Sequence, residues 1–220
     1  MTKWLSWSRR STRIVATGLS MLAVAAIAIA GRDLSADEDA VDDQVLRGRN
    51  LLLNHGCADC HGGGPNPAAK GYLSGNRDST TEFVIGPFRT RPRNLTPDNL
   101  TGLGRFSERQ IFNALRYGLR PGETPDVDIT SNVPGKGNFP AQPKYLAPPM
   151  PWPAFRHMPD DELKAIAAYL KRGVKPVSNK VKDSDGPPDF WASAYTEEKI
   201  GAYPAKPFPT ENEQQTQSRP

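Results

Sequence analysis

The amino-acid sequence predicts an all-α domain threaded by long loops. Three observations carry this. Three segments place apolar residues at helical spacing, their ends carry capping and stopping residues, and no run alternates convincingly enough to be a strand. The first helix is predicted over residues 44–55, with Val45, Leu46, Leu52 and Leu53 apolar and Arg47 and Arg49 outward. Gly48 lies inside it, either as a tolerated cost of about 1 kcal/mol or as a point of close contact with another helix.

Ser107 and Gln110 form a capping box that opens a second helix, predicted to run to about Arg120. Ile111, Ala114, Leu115 and Gly118 share its apolar face, with Phe112 beside it. The third helix starts near Pro159, with Asp160, Asp161 and Glu162 at its positive end. Leu163, Ile166, Ala167 and Leu170 mark its buried stripe, and Lys171, Arg172 and Gly173 stop it. Residues 66–105 are rich in Gly, Pro, Asn and Thr, too long a stretch for an ordinary connection. Residues 121–149 hold seven prolines without periodicity, and the proline-rich tail 176–220 reads as extended along the surface or partly disordered.

Cys57-Ala58-Asp59-Cys60-His61 explains what such loops could fold around. Two cysteines separated by two residues, with histidine directly after, are the attachment signature of a c-type haem. The thiols add across the two vinyl groups as thioethers, and the adjacent imidazole becomes the proximal iron ligand. A dithiol redox motif would follow a strand and open a helix in a βαβ pattern, which is missing nearby. A zinc site would need four ligands, and the only other histidines are His55 and His157. The expected cofactor is therefore one covalent haem c, a rigid apolar disc on which long loops can be ordered.

Residues 1–30 read as a signal peptide or an N-terminal membrane anchor. Lys3, Arg9, Arg10 and Arg13 precede the apolar run Ile14–Ala30. Its 17 residues come near the length of a membrane span, about 17–25 residues. Arg9-Arg10 suggests twin-arginine export, but that route carries folded chains, whereas haem is attached to an unfolded one after crossing. General secretion is preferred. Residues 31–43, with Asp33, Asp37, Glu38, Asp39, Asp42 and Asp43, form an acidic spacer. The chain's net charge of +4 comes from 28 basic and 24 acidic residues, and the leader holds four of the basic ones. Without the leader the charges balance, so the sequence implies no nucleic-acid partner.

The residues that could close the other side of the iron are Met150, Met158, His157 and His55. His55 is too near Cys57 to reach the opposite face. Met150 is flanked by prolines in Ala147-Pro148-Pro149-Met150-Pro151-Trp152-Pro153, a stiff strap able to present a thioether. Met158 reads as an apolar plug by the last helix and His157 as an exposed helix-entry residue. Met150 is preferred, with Met158, His157 and an open site as alternatives, and a methionine packing on Trp152 as the structural reading.

Several stretches resemble class I c-type cytochromes, and among them the subunits that serve periplasmic dehydrogenases. They are RGRNLLLNHGCADCH at 47–61, YLSG at 72–75, NLTPD at 94–98, TGLGRFSERQIFNALRYG at 101–118 and PPMPWPAFRHMPDDELKAIAAYLK at 148–171. The resemblance implies a cytochrome c-like domain at 44–175 wrapped around one haem, followed by the tail at 176–220. It implies Cys57 and Cys60 as tethers, His61 as proximal ligand and Met150 as distal ligand. It also pairs Gly48 with Tyr169 where the first and last helices cross, and offers Arg93 and Asn94 for contact with a haem propionate. Residues 121–147 are expanded relative to the family, and the tail has no counterpart.

The expected function is electron transfer rather than catalysis. A periplasmic monohaem carrier, soluble or tethered through Ile14–Ala30, would pass single electrons between a dehydrogenase or quinol oxidase and a terminal acceptor. Its redox partners would be a dehydrogenase, an oxidase or a soluble carrier. The alternative is a haem peroxidase or gas-binding sensor with an open distal site, aided by His157 or Arg156.

Overall fold

The computed structural model describes residues 43–76, 82–187 and 189–214. The leader at 1–30 and all of the acidic spacer but Asp43 lie outside the described residues. The chain divides into two units, Met1–Asp43 and Gln44–Pro220, and the fold described is that of the second. Helix α1 covers residues 43–54 and is followed at once by the short helix α2, Cys57–His61. A hairpin of β1 (Phe83–Ile85) and β2 (Phe88–Thr90) comes next, then α3 (Glu108–Tyr117), α4 (Trp152–Phe155), α5 (Asp160–Ala168) and α6 (Glu197–Ile200). A π-helical turn, Tyr169–Gly173, prolongs α5.

The hairpin corrects the all-α expectation. β1 and β2 pair antiparallel, with Phe83 opposite Thr90 and Ile85 opposite Phe88. Gly86 and Pro87 form the two-residue loop, and Gly86 has φ 52°, the positive angle that the first position of a type II′ turn requires. Strands of three residues are too short to display alternation, which is why periodicity did not disclose them. The tail extends this small sheet. Arg89 and Asp185 exchange backbone bonds of 2.8 and 2.9 Å.

The core forms where α1 crosses α5. Gly48 makes the crossing possible, since a Cβ there would stand 1.9 Å from the Ala165 carbonyl oxygen and 2.9 Å from Tyr169 Cβ. Leu52, Leu163, Ala165 and Ala167 are sealed from solvent around it. Arg47 reaches across to the first turn of α5, 2.6 Å from Asp161 and 3.1 Å from Glu162. α3 packs on α5 and α4. Its capping box is formed: Ser107 Oγ accepts from Gln110 N at 3.1 Å, and Gln110 Oε1 accepts from Ser107 N at 3.0 Å. α3 ends at Tyr117, short of Arg120, because Gly118 turns left-handed at φ 67° and passes against the Trp152 indole.

A second, smaller apolar cluster is built by the expanded segment after α3. Tyr117, Leu119, Ile129 and Phe139 are buried together, with Tyr145 and Tyr203 packed on them. Tyr203 brings the tail into this cluster, and Trp191 stacks edge-on against Phe88 at 4.9 Å between ring centres. Val181 and Trp191 are buried, so these parts of the tail are packed rather than solvated.

Candidate functional site

The short helix α2 carries the cysteine–histidine motif. Gly56 before it has φ 62° and Gly62 after it has φ 98°, so glycines bound a single isolated turn. Positions three and four apart share a helix face. Cys57, Cys60 and His61 therefore project to one side. Both thiols are free; Cys57 is half-buried and Cys60 exposed. Burial pushes the Cys57 thiol up to about 11. Ala58, between them in sequence, is buried in the main core.

His61 is oriented from behind. Its Nδ1 lies 2.7 Å from the Arg93 carbonyl oxygen. As a donor there, Nδ1 leaves Nε2 as the ring nitrogen with a free lone pair. Burial lowers the imidazole pKa, opposed by the bond to the Arg93 carbonyl. The loop after α2 returns to the same place: Gly75 N donates to the His61 carbonyl at 2.7 Å and Leu95 N to the Leu73 carbonyl at 2.8 Å. Asn94 is buried and fully engaged. Its Nδ2 donates to Thr101 Oγ1 and the Val177 carbonyl, and its Oδ1 accepts from Thr96 N and Thr96 Oγ1. Arg93 turns its guanidinium toward residues 181–184 of the tail. The two residues offered for propionate contact thus direct their donors to protein groups.

Met150 sits in the strap before α4, half-buried against the same apolar cluster that contains Cys57, Leu73, Leu95 and Phe155. The strap is stiffened by Met150 N donating to the Ala147 carbonyl at 2.9 Å and Trp152 N to the Met150 carbonyl at 2.8 Å. Trp152, 2% exposed, anchors it. Its ring stacks parallel on Tyr145 at 5.9 Å and meets Tyr195 edge-on at 4.8 Å. Met158 packs on this cluster too. His157 is exposed, with Nε2 3.1 Å from the Ile200 carbonyl, and His55 bonds back to Leu51 at 2.7 Å.

The sequence reading assigned no role to Arg116 or Tyr203, which meet around Arg156. Arg116, 2% exposed, donates to the Arg156 carbonyl and to Asp160 Oδ1, and its guanidinium lies 4.7 Å from the Tyr203 ring centre. Arg116 lies opposite the face of Ile111, Ala114 and Leu115, so helical spacing gave no signal of its burial. A cleft of about 830 Å³ opens between α3, α5 and residues 128–132, and none of the predicted ligand residues lines it. Among the described residues no cluster of three or more His, Cys, Asp or Glu gathers to hold a metal ion, and no helix is long and apolar enough to cross a membrane.

Comparison with known proteins points the same way as the motif. The gluconate 2-dehydrogenase cytochrome c subunit of Pantoea cypripedii is 32% identical over 154 residues, 69% of this chain and 28% of that protein. The cytochrome c subunit of the quinone alcohol dehydrogenase of Gluconacetobacter polyoxogenes is 28% identical over 158 residues, 71% of this chain and 28% of that protein. The fructose dehydrogenase cytochrome subunit of Gluconobacter japonicus is 29% identical over 139 residues, 60% of this chain and 22% of that protein. The chain thus spans less than a third of the length of these relatives. No family model matches it. The chain is similar to cytochrome c subunits of dehydrogenases, and its predominantly helical fold agrees with that relationship.

Proposed function

We propose that this chain is a monohaem c-type cytochrome that takes single electrons from a dehydrogenase and passes them to a terminal acceptor such as an oxidase or a soluble carrier. Cys57 and Cys60 would hold the haem as thioethers, His61 would ligate the iron through Nε2, and Met150 would ligate it through its thioether. The bond between His61 Nδ1 and the Arg93 carbonyl carries the reading, because it readies one imidazole for a metal beside two free thiols on one helical turn. The iron, when bound, supplies a one-electron ferric–ferrous couple, and thioether ligation raises its potential. The chain's own contribution is to orient His61, to stiffen the strap of Met150, and to surround both with apolar side chains that exclude water.

In this reading residues 1–30 are a signal peptide or N-terminal membrane anchor, 31–43 an acidic spacer, 44–175 the cytochrome c domain and 176–220 the tail, and the carrier works in the periplasm, soluble or anchored to the inner membrane. The open-site alternative asks His157 or Arg156 to serve the distal side. His157 instead bonds the Ile200 carbonyl, and Arg156 lies near the Trp152 and Tyr203 rings. The test uses protein matured through secretion. Its mass should rise by one haem, its pigment should survive acid–acetone, and its ferrous form should resist carbon monoxide until Met150→Ala opens the site. Pigment that is stripped by acid–acetone overturns the covalent haem. Rapid stoichiometric carbon monoxide binding by the unaltered protein overturns Met150 ligation.

A further inference from the structure

The tail makes its densest polar contacts with one place in the domain, the loop whose carbonyl meets His61. The Arg93 guanidinium donates to the Val181 carbonyl at 3.4 Å, the Lys182 carbonyl at 3.1 Å and Ser184 Oγ at 2.9 Å. Val177 N donates to Thr96 Oγ1 at 3.1 Å, and the Val177 carbonyl accepts from Asn94 Nδ2 at 2.8 Å. Asn179 N donates to Thr101 Oγ1 at 2.9 Å, while Asn179 Nδ2 donates to the Ser74 and Gly75 carbonyls at 2.7 and 3.3 Å. Gly75 in turn donates its N–H to the His61 carbonyl. Asn179 is 7% exposed, so its contacts are shielded from competing water, whereas the Arg93 bonds to Lys182 and Ser184 lie at the surface.

We propose that residues 177–184 form a positioning belt for the proximal ligand. By tying down Arg93, Asn94 and Gly75, the belt holds the Arg93 carbonyl against His61 Nδ1 and sets how strongly the imidazole donates to the iron. The inference rests on the haem reading above. The outer hydrogen-bond partner of a metal-bound histidine fixes its ring and raises its basicity. A stronger donor favours ferric iron, so a loosened belt raises the reduction potential. The ring of His61 bonds to the Arg93 carbonyl rather than to a belt residue, so the belt acts through the backbone of the loop.

The experiment compares full-length holoprotein with Arg93→Lys, Asn179→Leu and Trp191→Ala variants. Arg93→Lys removes the guanidinium fork while keeping the charge. Asn179→Leu removes the donor to Ser74 and Gly75. Trp191→Ala weakens the tail beyond the belt, where Trp191 packs on Phe88. The readouts are the midpoint potential and the solvent exchange of the His61 Nδ1 proton by NMR. Arg93→Lys and Asn179→Leu should raise the ferrous-to-ferric ratio at fixed poise about tenfold, or about 59 mV for one electron, and speed exchange of that proton. Trp191→Ala should lower thermal stability with neither readout changed.

If Asn179→Leu does not fold, Arg93→Lys decides alone. Potentials and exchange rates equal to those of the unaltered protein overturn the belt. An equal shift in Trp191→Ala also overturns it, because the effect would then follow general stability. Absence of attached haem in the unaltered protein would instead overturn the function on which the belt rests.

Discussion

The backbone around His61 is held by a network of side-chain hydrogen bonds, whereas the strap around Met150 is held by short backbone turns, ring contacts and prolines. On the first side, Asn94, Thr96, Thr101 and Asn179 form a continuous polar network that is largely buried. On the second, Trp152 lies between Tyr145, Tyr195 and the bare backbone of Gly118. Hydrogen bonds are directional and specify where an atom sits, which suits a ring nitrogen that must aim at a metal. Ring packing specifies volume and tolerates small rotations, which suits a flexible thioether.

The comparison breaks most visibly at Trp152. Trp152→Ala removes a side chain that is 2% exposed and leaves Tyr145, Tyr195 and Gly118 facing a void. The expected loss is about 4 kcal/mol, the range for deleting a buried aromatic. The midpoint of denaturant unfolding measures it. A loss below about 1 kcal/mol would mean that the prolines and the backbone bonds hold the strap without the indole.

Asn94→Leu attacks the other side. The apolar side chain would leave Thr96 N, Thr96 Oγ1, Thr101 Oγ1 and the Val177 carbonyl each short of one partner. The expected cost is about 2–3 kcal/mol, set by the desolvation of buried groups left unpaired rather than by lost volume. Asn94→Asp keeps the acceptor toward Thr96 and should recover part of the loss. Equal costs for the two variants, read from the same unfolding curves, would show that packing rather than hydrogen bonding holds this loop.

The two sides also differ in how far the sequence disclosed them. The three long helices were legible because their apolar residues repeat at helical spacing and Ser107, Gln110 and Asp160–Glu162 mark their starts. The motif on α2 was legible because its chemistry fixes the spacing of Cys57, Cys60 and His61. Gly48 within a helical pattern signals either a tolerated glycine or a close contact, and the Ala165 carbonyl stands there. The hairpin escaped because three-residue strands carry no period, although Gly86-Pro87 between apolar runs was a usable turn signal. Val181 and Trp191 escaped for another reason. Single apolar residues in a proline-rich tail acquire partners only through contacts remote in sequence, such as Trp191 with Phe88. The ion pair between buried Arg116 and exposed Asp160 depends on the same kind of distant meeting.

The smallest expected effect sharpens the polar side and depends on pH. The Asp98 carboxylate accepts from Thr101 N and Thr101 Oγ1, both at 2.7 Å, inside the loop that Asn94 begins. The Thr101 hydroxyl bond, followed by the Thr101 amide bond, holds the Asp98 pKa below its ordinary value. A carboxyl group with a depressed folded-state pKa stabilises the fold fully above its unfolded value, about 3.9. That contribution disappears as pH falls through the lower, folded value. Stability of the unaltered protein should therefore drop more steeply below about pH 4 than that of Asp98→Asn, whose amide cannot titrate. Unfolding midpoints between about pH 2 and 5 measure the difference in slope around that reference value. Identical slopes would mean that the Thr101 bonds survive protonation, and that this turn is shaped by its backbone bond from Gly102 N to the Asp98 carbonyl rather than by charge.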